Sequence, residues 1–463
     1  MSLSSSLVAL GEGRLPSSFE GLRSHLPLDW IQSCLELHGV ATLRKRKLPV
    51  ENVVWLVVGM GLFRNRSIAD LVSRLDLVLP DRDGRRREIA EGAVTPARDR
   101  LGVEPLRELF EITARNWTGE SVERYRWRGL ALMGLDGTIA RVPDSPENRK
   151  HFEGHSGSGY PFVRLVVLMA LRGRIALNCA FAGCKTGETT LAKQVLASIP
   201  DNSVSIMDRY YHNYSIWHAI NSAGENRHWL VRGREDLRAW KTIEKYGPGD
   251  ELAEIEISQS TRNKHPELPE RLRVRIIRCR RAGFKARLLI TSLLDPKLYP
   301  AEEIAELYHE RWEIEVAYDE LKTHTLESKI TLRSQSPERI GQELYGLLIG
   351  YNLVRREMEG MAQRLKLPAN RISYQATLMM MRDLFYWAEV AKPGKLPAML
   401  AEMRLNIQRF VLPERRKRNY PRVTKMRVTK YPAGAQLSER HYLRRESLLD
   451  QPSFSSGQSE ARM

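Results

Sequence analysis

The sequence contains few cysteines, and their spacing is irregular. Only Cys34, Cys179, Cys184 and Cys279 occur in 463 residues, and no two of them form a C-x-x-C pair. Disulfide-rich secreted domains and cysteine-based zinc sites both need more cysteines in closer arrays. We therefore expect a protein of a reducing compartment, in which Cys179 and Cys184 are small core residues.

Long hydrophobic runs are also absent. The longest apolar stretch, Val53 to Phe63, is about half as long as a bilayer-spanning helix needs to be. The N-terminal residues, MSLSSSLVALGEG, lack the basic segment followed by an apolar segment that defines a signal peptide. The sequence thus predicts a cytoplasmic protein that does not span a membrane.

Acidic residues are scarce relative to basic ones. The chain has 73 Lys and Arg against 56 Asp and Glu, which gives a net charge of +17 and a pI of about 9.8. An excess of this size favours a polyanionic partner, either nucleic acid or an acidic membrane surface. The hydrophobic fraction of 42% is ordinary for a globular protein. The length allows roughly two to four domains, or one large elaborated domain.

Residues 1–125 have the pattern of a helical domain. Proline and N-cap signals, among them Thr95 followed by Pro96, predict helices at Leu28 to Gly39, Glu51 to Phe63, Ile68 to Leu75 and Thr95 to Asn116. Basic loops at 44–47 and 85–87 lie between these helices. Short helices joined by basic loops are typical of a DNA-binding domain, and a generic helical cap with solvated loops is the alternative.

From Gly129 the pattern changes to strands that alternate with helices. Within 126–233 we predict three strands, a helix, a strand, a helix and a strand. The first strand (GLALMGLDGTIARV) ends at Asp136 or continues beyond it, and the fourth (SVSIM) ends at Asp208. This order resembles the ribonuclease H-like fold, a mixed sheet flanked by helices. The predicted fold class is therefore α/β with a ribonuclease H-like core.

Two further regions follow this first part of the core. Residues 234–299 are predicted to form a β-rich insertion, because β-forming residues concentrate at 252–258, 272–279 and 286–294. Residues 336–463 contain helices at 336–365 and 370–391, followed by a basic C-terminal region. In its segment 413–432, two tyrosines interleave with basic residues, which favours contact with a nucleic-acid backbone, and a solvated tail is the alternative.

The core segment 300–335 carries one long predicted helix. The run from Ala301 to about Leu326 has no Gly or Pro, and Pro300 precedes it. At about 100° per residue, four side chains fall within an arc of about 60°: Tyr308, Arg311, Glu315 and Lys322. An apolar seam occupies the adjacent arc: Leu307, Ile314, Tyr318 and Leu321. Taken alone, this helix has an alternative interpretation as a solvated face with ordinary ion pairs.

Three carboxylates occupy positions that suit a single site. Asp136 lies on the first strand, Asp208 follows the fourth, and Glu315 lies on the long helix. Neighbouring strand ends place two aspartates side by side, and a helix packed on the sheet brings the third carboxylate to them. Converging carboxylates do not all stay ionised without a cation, and oxygen-only clusters favour Mg²⁺ or Mn²⁺. The alternatives, for each residue alone, are a turn at Asp136 and a cap at Asp208.

These residues resemble the signature of a known family. The pattern Y-x2-R-x3-E-x6-K of the insertion-sequence-4 family of DDE transposases is matched by Tyr308, Arg311, Glu315 and Lys322. Asp136 in LDGT and Asp208 in IMDR match the two aspartates of that family. The β-rich insertion and N-terminal segments such as TPARDRLG are also similar, so the resemblance covers about residues 25–390.

The resemblance implies an enzyme that cleaves DNA at the terminal inverted repeats of its element and transfers the 3′-hydroxyl ends into target DNA. In that family the carboxylates corresponding to Asp136, Asp208 and Glu315 hold the catalytic Mg²⁺ or Mn²⁺ ions. A homodimer or higher synaptic complex on double-stranded DNA, in the cytoplasm and on the nucleoid, is implied as well. Two alternatives remain: a catalytically inactive DNA-binding relative, and a nuclease of the same fold that hydrolyses DNA without joining it.

The same resemblance implies a set of DNA contacts beside the carboxylates. Tyr308, Arg311 and Lys322 would hold phosphates of the transposon end, which suits a hydroxyl, a guanidinium and an ammonium group. Arg209, next to the second aspartate, is expected to contact DNA as well.

Overall fold

The computed structural model covers most of the predicted elements. It describes residues 25–41, 47–75, 77–78, 89–153, 159–234, 240–279, 287–327, 331–390 and 395–414. The basic loop residues 44–46 and 85–87 lie outside this part of the chain, and so does the basic segment 413–432 from residue 415 onward.

The N-terminal region is helical, as the sequence predicts. Helices α1 (Leu28–Leu37) and α2 (Val50–Leu62) each begin directly after a proline, and α3 (Ile68–Arg74) begins after Ser67. The Ser67 hydroxyl oxygen accepts a hydrogen bond from the amide of Asp70 at 3.0 Å, and so caps α3.

The predicted helix from Thr95 to Asn116 is wrong in its bounds. The structure has two helices there, α4 (Val94–Leu101) and α5 (Glu104–Arg124). Gly102 separates them with a φ of 69°, a left-handed conformation that ends a helix and that glycine adopts without steric cost. Thr95 lies inside α4 rather than at its N-cap.

A mixed sheet forms the centre of the fold. An antiparallel meander consists of β1 (Ala131–Arg141), β2 (Phe162–Ala170) and β3 (Ile175–Gly183). Two strands extend it in parallel from β1, namely β4 (Ser203–Met207) and β5 (Arg227–Arg232). Helices α6 (Pro146–Phe152), α7 (Glu188–Val195) and α8 (Tyr214–Ser222) connect these strands. The predicted ribonuclease H-like order is therefore present.

The β-rich insertion continues this same sheet. Its strands are β6 (Lys241–Gly247), β7 (Asp250–Glu256), β8 (Arg271–Cys279) and β9 (Arg287–Thr291). The sheet order in the described part of the chain is β3-β2-β1-β4-β5-β9-β8-β7-β6, and β9 pairs with β5. The sequence pattern did not predict β6 or the short helix α9 (Gln259–Lys264), because β6 is mostly exposed and polar and shows no apolar alternation.

The predicted run from Ala301 to Leu326 is helical, but its winding changes along the way. α10 (Ala301–Leu307) is followed by a 3-10 turn (Tyr308–Arg311), then by α11 (Trp312–Asp319) and a π-helical segment (Glu320–Thr325). The apolar seam is confirmed, since its four members are each less than one tenth exposed: Leu307, Ile314, Tyr318 and Leu321. We refer to residues 301–325 as the striped segment.

The C-terminal helices close the fold. They are α12 (Pro337–Arg364), α13 (Tyr374–Val390) and α14 (Leu396–Leu405). One apolar core contains residues of α2, of the sheet, of the striped segment and of α12. A second core lies on the other side of the sheet, under α7 and α8. The helical N-terminal and C-terminal regions thus pack on one face of the sheet, and in the described residues no helix has the length and apolar composition of a membrane span.

Candidate active site

Two aspartates lie next to each other where two parallel strands meet. In the β1–β4 pairing Leu135 lies opposite Met207, and the residues that follow them are Asp136 and Asp208. β4 ends there, whereas β1 continues to Arg141 because β2 still pairs with it. The structure therefore brings the two predicted aspartates together at neighbouring strand positions.

Asp136 lies in an environment that disfavours its charge. Burial, first, and then the negative charges of Asp208 and Glu188 raise the pKa of Asp136 to about 6. The amide of Gly137, which donates to Asp136 Oδ1 at 2.8 Å, and the charge of Arg311 act in the opposite direction. A partly buried carboxylate beside other carboxylates is a good binding partner for a cation.

Asp208 combines a capping role with its position at the site. Its Oδ1 accepts a hydrogen bond from the amide of Tyr210 at 2.7 Å, at the start of the 3-10 turn Arg209–Tyr211. The cap interpretation and the site position are therefore compatible, since the second carboxylate oxygen takes no part in this bond. Arg209 is exposed next to it.

Glu315 projects from α11 and is paired with a neighbour on the striped segment. Arg311 Nη2 donates a hydrogen bond to Glu315 Oε1 across one helical turn. The charge of Arg311 also acts on the pKa of Asp136, so this guanidinium lies within electrostatic range of both carboxylates. The Tyr318 hydroxyl donates to the carbonyl oxygen of Asp136 at 2.6 Å and fixes α11 on β1.

The other two predicted residues of the striped segment, Lys322 and Tyr308, are each influenced by the charge of one aspartate. Burial lowers the pKa of Lys322, and the charge of Asp136 opposes that shift. Burial raises the pKa of the Tyr308 hydroxyl, and Asp208 contributes in the same direction. Tyr308 is only 7% exposed and belongs to the apolar core, so it is more deeply buried than a member of a solvated stripe.

The sequence did not reveal a further carboxylate at the site, Glu188. It is the first residue of α7, and one of its oxygens accepts a hydrogen bond from the Tyr211 hydroxyl at 2.9 Å. A Cβ at Gly137 would lie 2.3 Å from its carboxyl carbon, so Glu188 occupies space that only a glycine leaves open beside Asp136. The motif GCKTGETT lacks the phosphate-loop spacing, and its glutamate carries no other signal in the sequence.

The donor set at the site fits a hard divalent cation. Asp136 and Asp208 present carboxylate oxygens from neighbouring strands, and carboxylate oxygen is the ligand type that Mg²⁺ and Mn²⁺ prefer. In the described part of the chain, no group of three acidic, His or Cys side chains is already arranged as a ligand set. Glu315 is instead turned to Arg311, so the third ligand would have to exchange its partner.

Two family models match the sequence around this site. Residues 16–111 match the insertion element 4 transposase N-terminal region, and residues 130–353, which include all three carboxylates, match the transposase DDE domain. The transposase InsG for insertion sequence element IS4, from Escherichia coli (strain K12), is 37% identical over 430 residues, which cover 92% of this chain and 96% of InsG. The chain belongs to the IS4 family of transposases. It is therefore a DDE transposase, and the predicted family, enzyme class and ribonuclease H-like fold are confirmed.

Two further comparisons, one with a curated relative and one with a solved structure, differ in what they show. InsZ of E. coli (strain K12) is 40% identical over 233 residues, which cover 49% of this chain and 74% of InsZ. The match to the piggyBac transposase, solved as a synaptic complex with hairpin DNA, covers 87% of this chain and 86% of the piggyBac chain. The sequence identity is 10% and the TM-score is 0.41. That TM-score is too low for the likeness to indicate a shared fold. The family assignment of this transposase therefore rests on InsG and the family models.

Proposed function

We propose that this transposase cleaves the phosphodiester bonds at the terminal inverted repeats of its insertion sequence and transfers the freed 3′-hydroxyl ends into target DNA. Asp136, Asp208 and Glu315 are the catalytic carboxylates in this proposal. The observation that supports it most is the register of β1 and β4, which makes the two aspartates neighbours beneath the helix that carries Glu315.

The three carboxylates would hold Mg²⁺ or Mn²⁺, and the bound cations would stabilise the charge that develops on the attacked phosphate. The partial burial of Asp136 reduces the solvation of its carboxylate, so that it gains more from an added positive charge than a fully exposed aspartate does. Tyr318 holds the backbone of Asp136 against α11 and so maintains the distance between the strand and the helix.

The DNA contacts in the proposal surround the carboxylates. Arg311 and Lys322 would neutralise phosphates of the transposon end, and Tyr308 would lie against the same DNA strand. The exposed Arg209 would reach the DNA backbone that flanks this strand end. Three further regions would extend the DNA contact beyond the core segments 126–233 and 300–335. They are the helical region 1–125, the insertion 234–299 and the basic C-terminal region in 336–463. Assembly of two copies on double-stranded DNA, on the nucleoid of a bacterial cytoplasm, belongs to the same proposal.

A cleavage assay tests the assignment. The substrate is a DNA fragment that carries one inverted repeat of the element with its flank, incubated with full-length protein in Mg²⁺ or in EDTA. We expect nicking at the repeat boundary in Mg²⁺ only. We also expect losses of at least about 10³-fold for Asp136→Ala, Asp208→Ala and Glu315→Ala. Glu123→Ala, at an exposed glutamate of α5, is the control and should cleave as the wild type does.

Full cleavage by any of the three alanine variants would remove that residue from the catalytic set. A supercoiled target plasmid added to the same reaction distinguishes a transposase from a nuclease of the same fold. We expect joined products in which the 3′ end of the repeat is covalently linked to a 5′ phosphate of the plasmid, whereas nicking with no joined product would favour the hydrolytic alternative.

A further inference from the structure

A buried ion-pair network connects the turn between β2 and β3 to the striped segment. Its centre is Arg174, whose side chain is 3% exposed. Arg174 Nε donates to Glu313 Oε2 at 2.7 Å, and Arg174 Nη1 donates to Glu320 Oε1 at 2.5 Å. One guanidinium thus binds carboxylates that lie on either side of Glu315 along the chain.

α12 supplies the other half of the network. Arg355 is fully buried, its Nη1 lies 3.4 Å from Glu320 Oε1, and its Nε donates to the carbonyl oxygen of Gly173 at 2.9 Å. The Tyr351 hydroxyl donates to Glu320 Oε2 at 3.0 Å. Burial alone would lower the pKa of Arg174, but Glu320 and Glu313 more than offset this and hold the pKa above its ordinary value. The arginine therefore stays charged.

The turn that carries Arg174 is itself held firmly. Arg174 has a φ of 52°, in the left-handed region that residues with a side chain seldom adopt. A Cβ at Gly173 would lie 2.1 Å from the Ser121 hydroxyl of α5 and 2.8 Å from Glu359 Oε1 of α12, so a side chain there would displace one or both of them. The backbone that carries the Arg174 guanidinium is therefore held in place by its neighbours.

The geometry of the helix relates this network to the site. Glu313 precedes Glu315 by two positions, which places the two side chains about 200° apart around α11. The Glu313 side chain is 11% exposed and points into the network, whereas that of Glu315 is 35% exposed and lies on the other side with Arg311. Glu320 lies where the winding changes from α to π. Holding both Glu313 and Glu320 therefore fixes the rotation of α11 about its axis.

We propose that Arg174 is a positioning residue for catalysis: by binding Glu313 and Glu320 from the β2–β3 turn, it sets the rotation of α11 from which Glu315, once it exchanges Arg311 for a cation, would meet Asp136 and Asp208. The inference rests on the proposed catalytic role of Glu315. A role in stability alone would not need charged groups, since apolar side chains of similar volume commonly replace buried ion pairs without loss of stability. What the charged groups add is a defined orientation of α11.

The test uses the full-length protein and the inverted-repeat substrate. Arg174→Lys keeps the charge but loses the planar fork that reaches both glutamates. We expect its single-turnover cleavage rate in Mg²⁺ to fall by about 100-fold, because a small misplacement of a reacting group costs about that much. We expect its affinity for the repeat, measured by gel shift without divalent cations, to stay within about twofold, because the misplaced group acts in catalysis and not in binding.

Arg64→Lys is the matched control. Arg64 and Glu343 form another buried pair, with side chains 5% and 4% exposed, and the hydrogen bonds of Arg64 go to Glu343 and Thr331 outside the striped segment. This variant should lose stability but cleave within about twofold of wild type once folded. Cleavage by folded Arg174→Lys at the wild-type rate would overturn the proposal.

Two further variants keep the test decisive. Tyr351→Phe removes one hydroxyl from Glu320 and keeps the aromatic ring that packs in the core, so it is the variant to use if Arg174→Lys does not fold. We expect its cleavage to be about tenfold slower, and an unchanged rate overturns the proposal. In the double variant Arg174→Lys/Glu315→Asp, the two losses should not add, because both act through Glu315. Additive losses would indicate a general structural role and overturn it. If Glu315→Ala still cleaves fully, the proposed catalytic role of Glu315 fails by itself, whatever Arg174→Lys does.

Discussion

Asp136 illustrates how the environment proposed to suit a cation affects the stability of the fold. The fold places its carboxylate under α11, next to Asp208 and Glu188, and this raises its pKa to about 6. An aspartate whose pKa is raised in the folded state stabilises the fold below its ordinary pKa near 4, and that contribution is lost as the pH rises through about 6. At higher pH the ionised side chain therefore works against folding unless a cation is bound.

Replacing this aspartate with its neutral isostere tests the role of burial. In EDTA at pH 8, Asp136→Asn should unfold at a higher temperature than wild type, with a gain of at most about 3 kcal/mol. At pH 5 the gain should shrink to about half, because the wild-type carboxyl is then mostly protonated in the folded protein. Thermal unfolding at the two pH values measures both. A variant that is less stable than wild type at pH 8 would contradict the assignment of burial as the dominant cause.

How far the sequence predicts the site depends on the residue. Asp136, Asp208 and Glu315 could be proposed because each lies within, or directly after, an element with a recognisable pattern. Glu188 could not, because its approach to Asp136 depends on the absence of a side chain at Gly137 and on the Tyr211 hydroxyl. Arg174 was equally unpredictable, since it meets Glu313 and Glu320 only after the β2–β3 turn and the striped segment have packed together.

The striped segment shows the corresponding limit for a single element. A constant rotation of about 100° per residue predicts its apolar seam correctly, since Ile314 lies within reach of Gly134 on β1 and Tyr318 bonds the backbone of Asp136. It does not predict the 3-10 turn or the π-helical segment, because no local sequence signal specifies either winding. In the structure, buried partners accompany the π winding, including the hydrogen bond from Tyr351 to Glu320.

The packing of α2 against α12 offers a second test on individual helices. A Cβ at Gly346 would lie 2.5 Å from the carbonyl oxygen of Val57, a backbone atom that cannot move aside. We expect Gly346→Ala to destabilise the protein by about 1–3 kcal/mol or more through overpacking. Gly360→Ala on the same helix has no atom within 4 Å of the new Cβ, and it should stabilise by about 0.5–1 kcal/mol. Equal effects of the two substitutions in urea unfolding would contradict the close approach of these helices.

For the whole molecule, the decisive property is the net charge of +17. A transposase that neutralises several DNA phosphates releases their counterions, so its affinity falls steeply as salt increases. We expect at least about a 10³-fold loss of affinity for the transposon end between about 50 and 200 mM salt. The slope of log affinity against log salt should become less steep in a triple variant with Arg415→Gln, Arg416→Gln and Arg418→Gln. The expected change is about 0.9 for each phosphate that these arginines neutralise. An unchanged slope would show that these arginines do not bind DNA phosphates.

The sheet order was predictable over the core and less so beyond it. Alternation of strands and helices between Ala131 and Arg232 predicts the ribonuclease H-like order, because each strand there is apolar and bounded by turn signals. No local pattern indicates that the insertion extends the core sheet, because the pairing of Val231 with Ile290 joins strands that are far apart in the chain.

Asp136, Asp208 and Glu315 are proposed to bind the same cations, and iron-directed cleavage of the polypeptide can show whether they do. Fe²⁺ bound in place of Mg²⁺ generates hydroxyl radicals with peroxide and ascorbate, and these radicals cut the chain beside the ligands. We predict fragments that end near all three residues and disappear together when Mg²⁺ is added in excess or when Asp136 is changed to Asn. Cuts near Asp136 and Asp208 without any near Glu315, or cuts that Mg²⁺ does not suppress, would contradict a shared cation site.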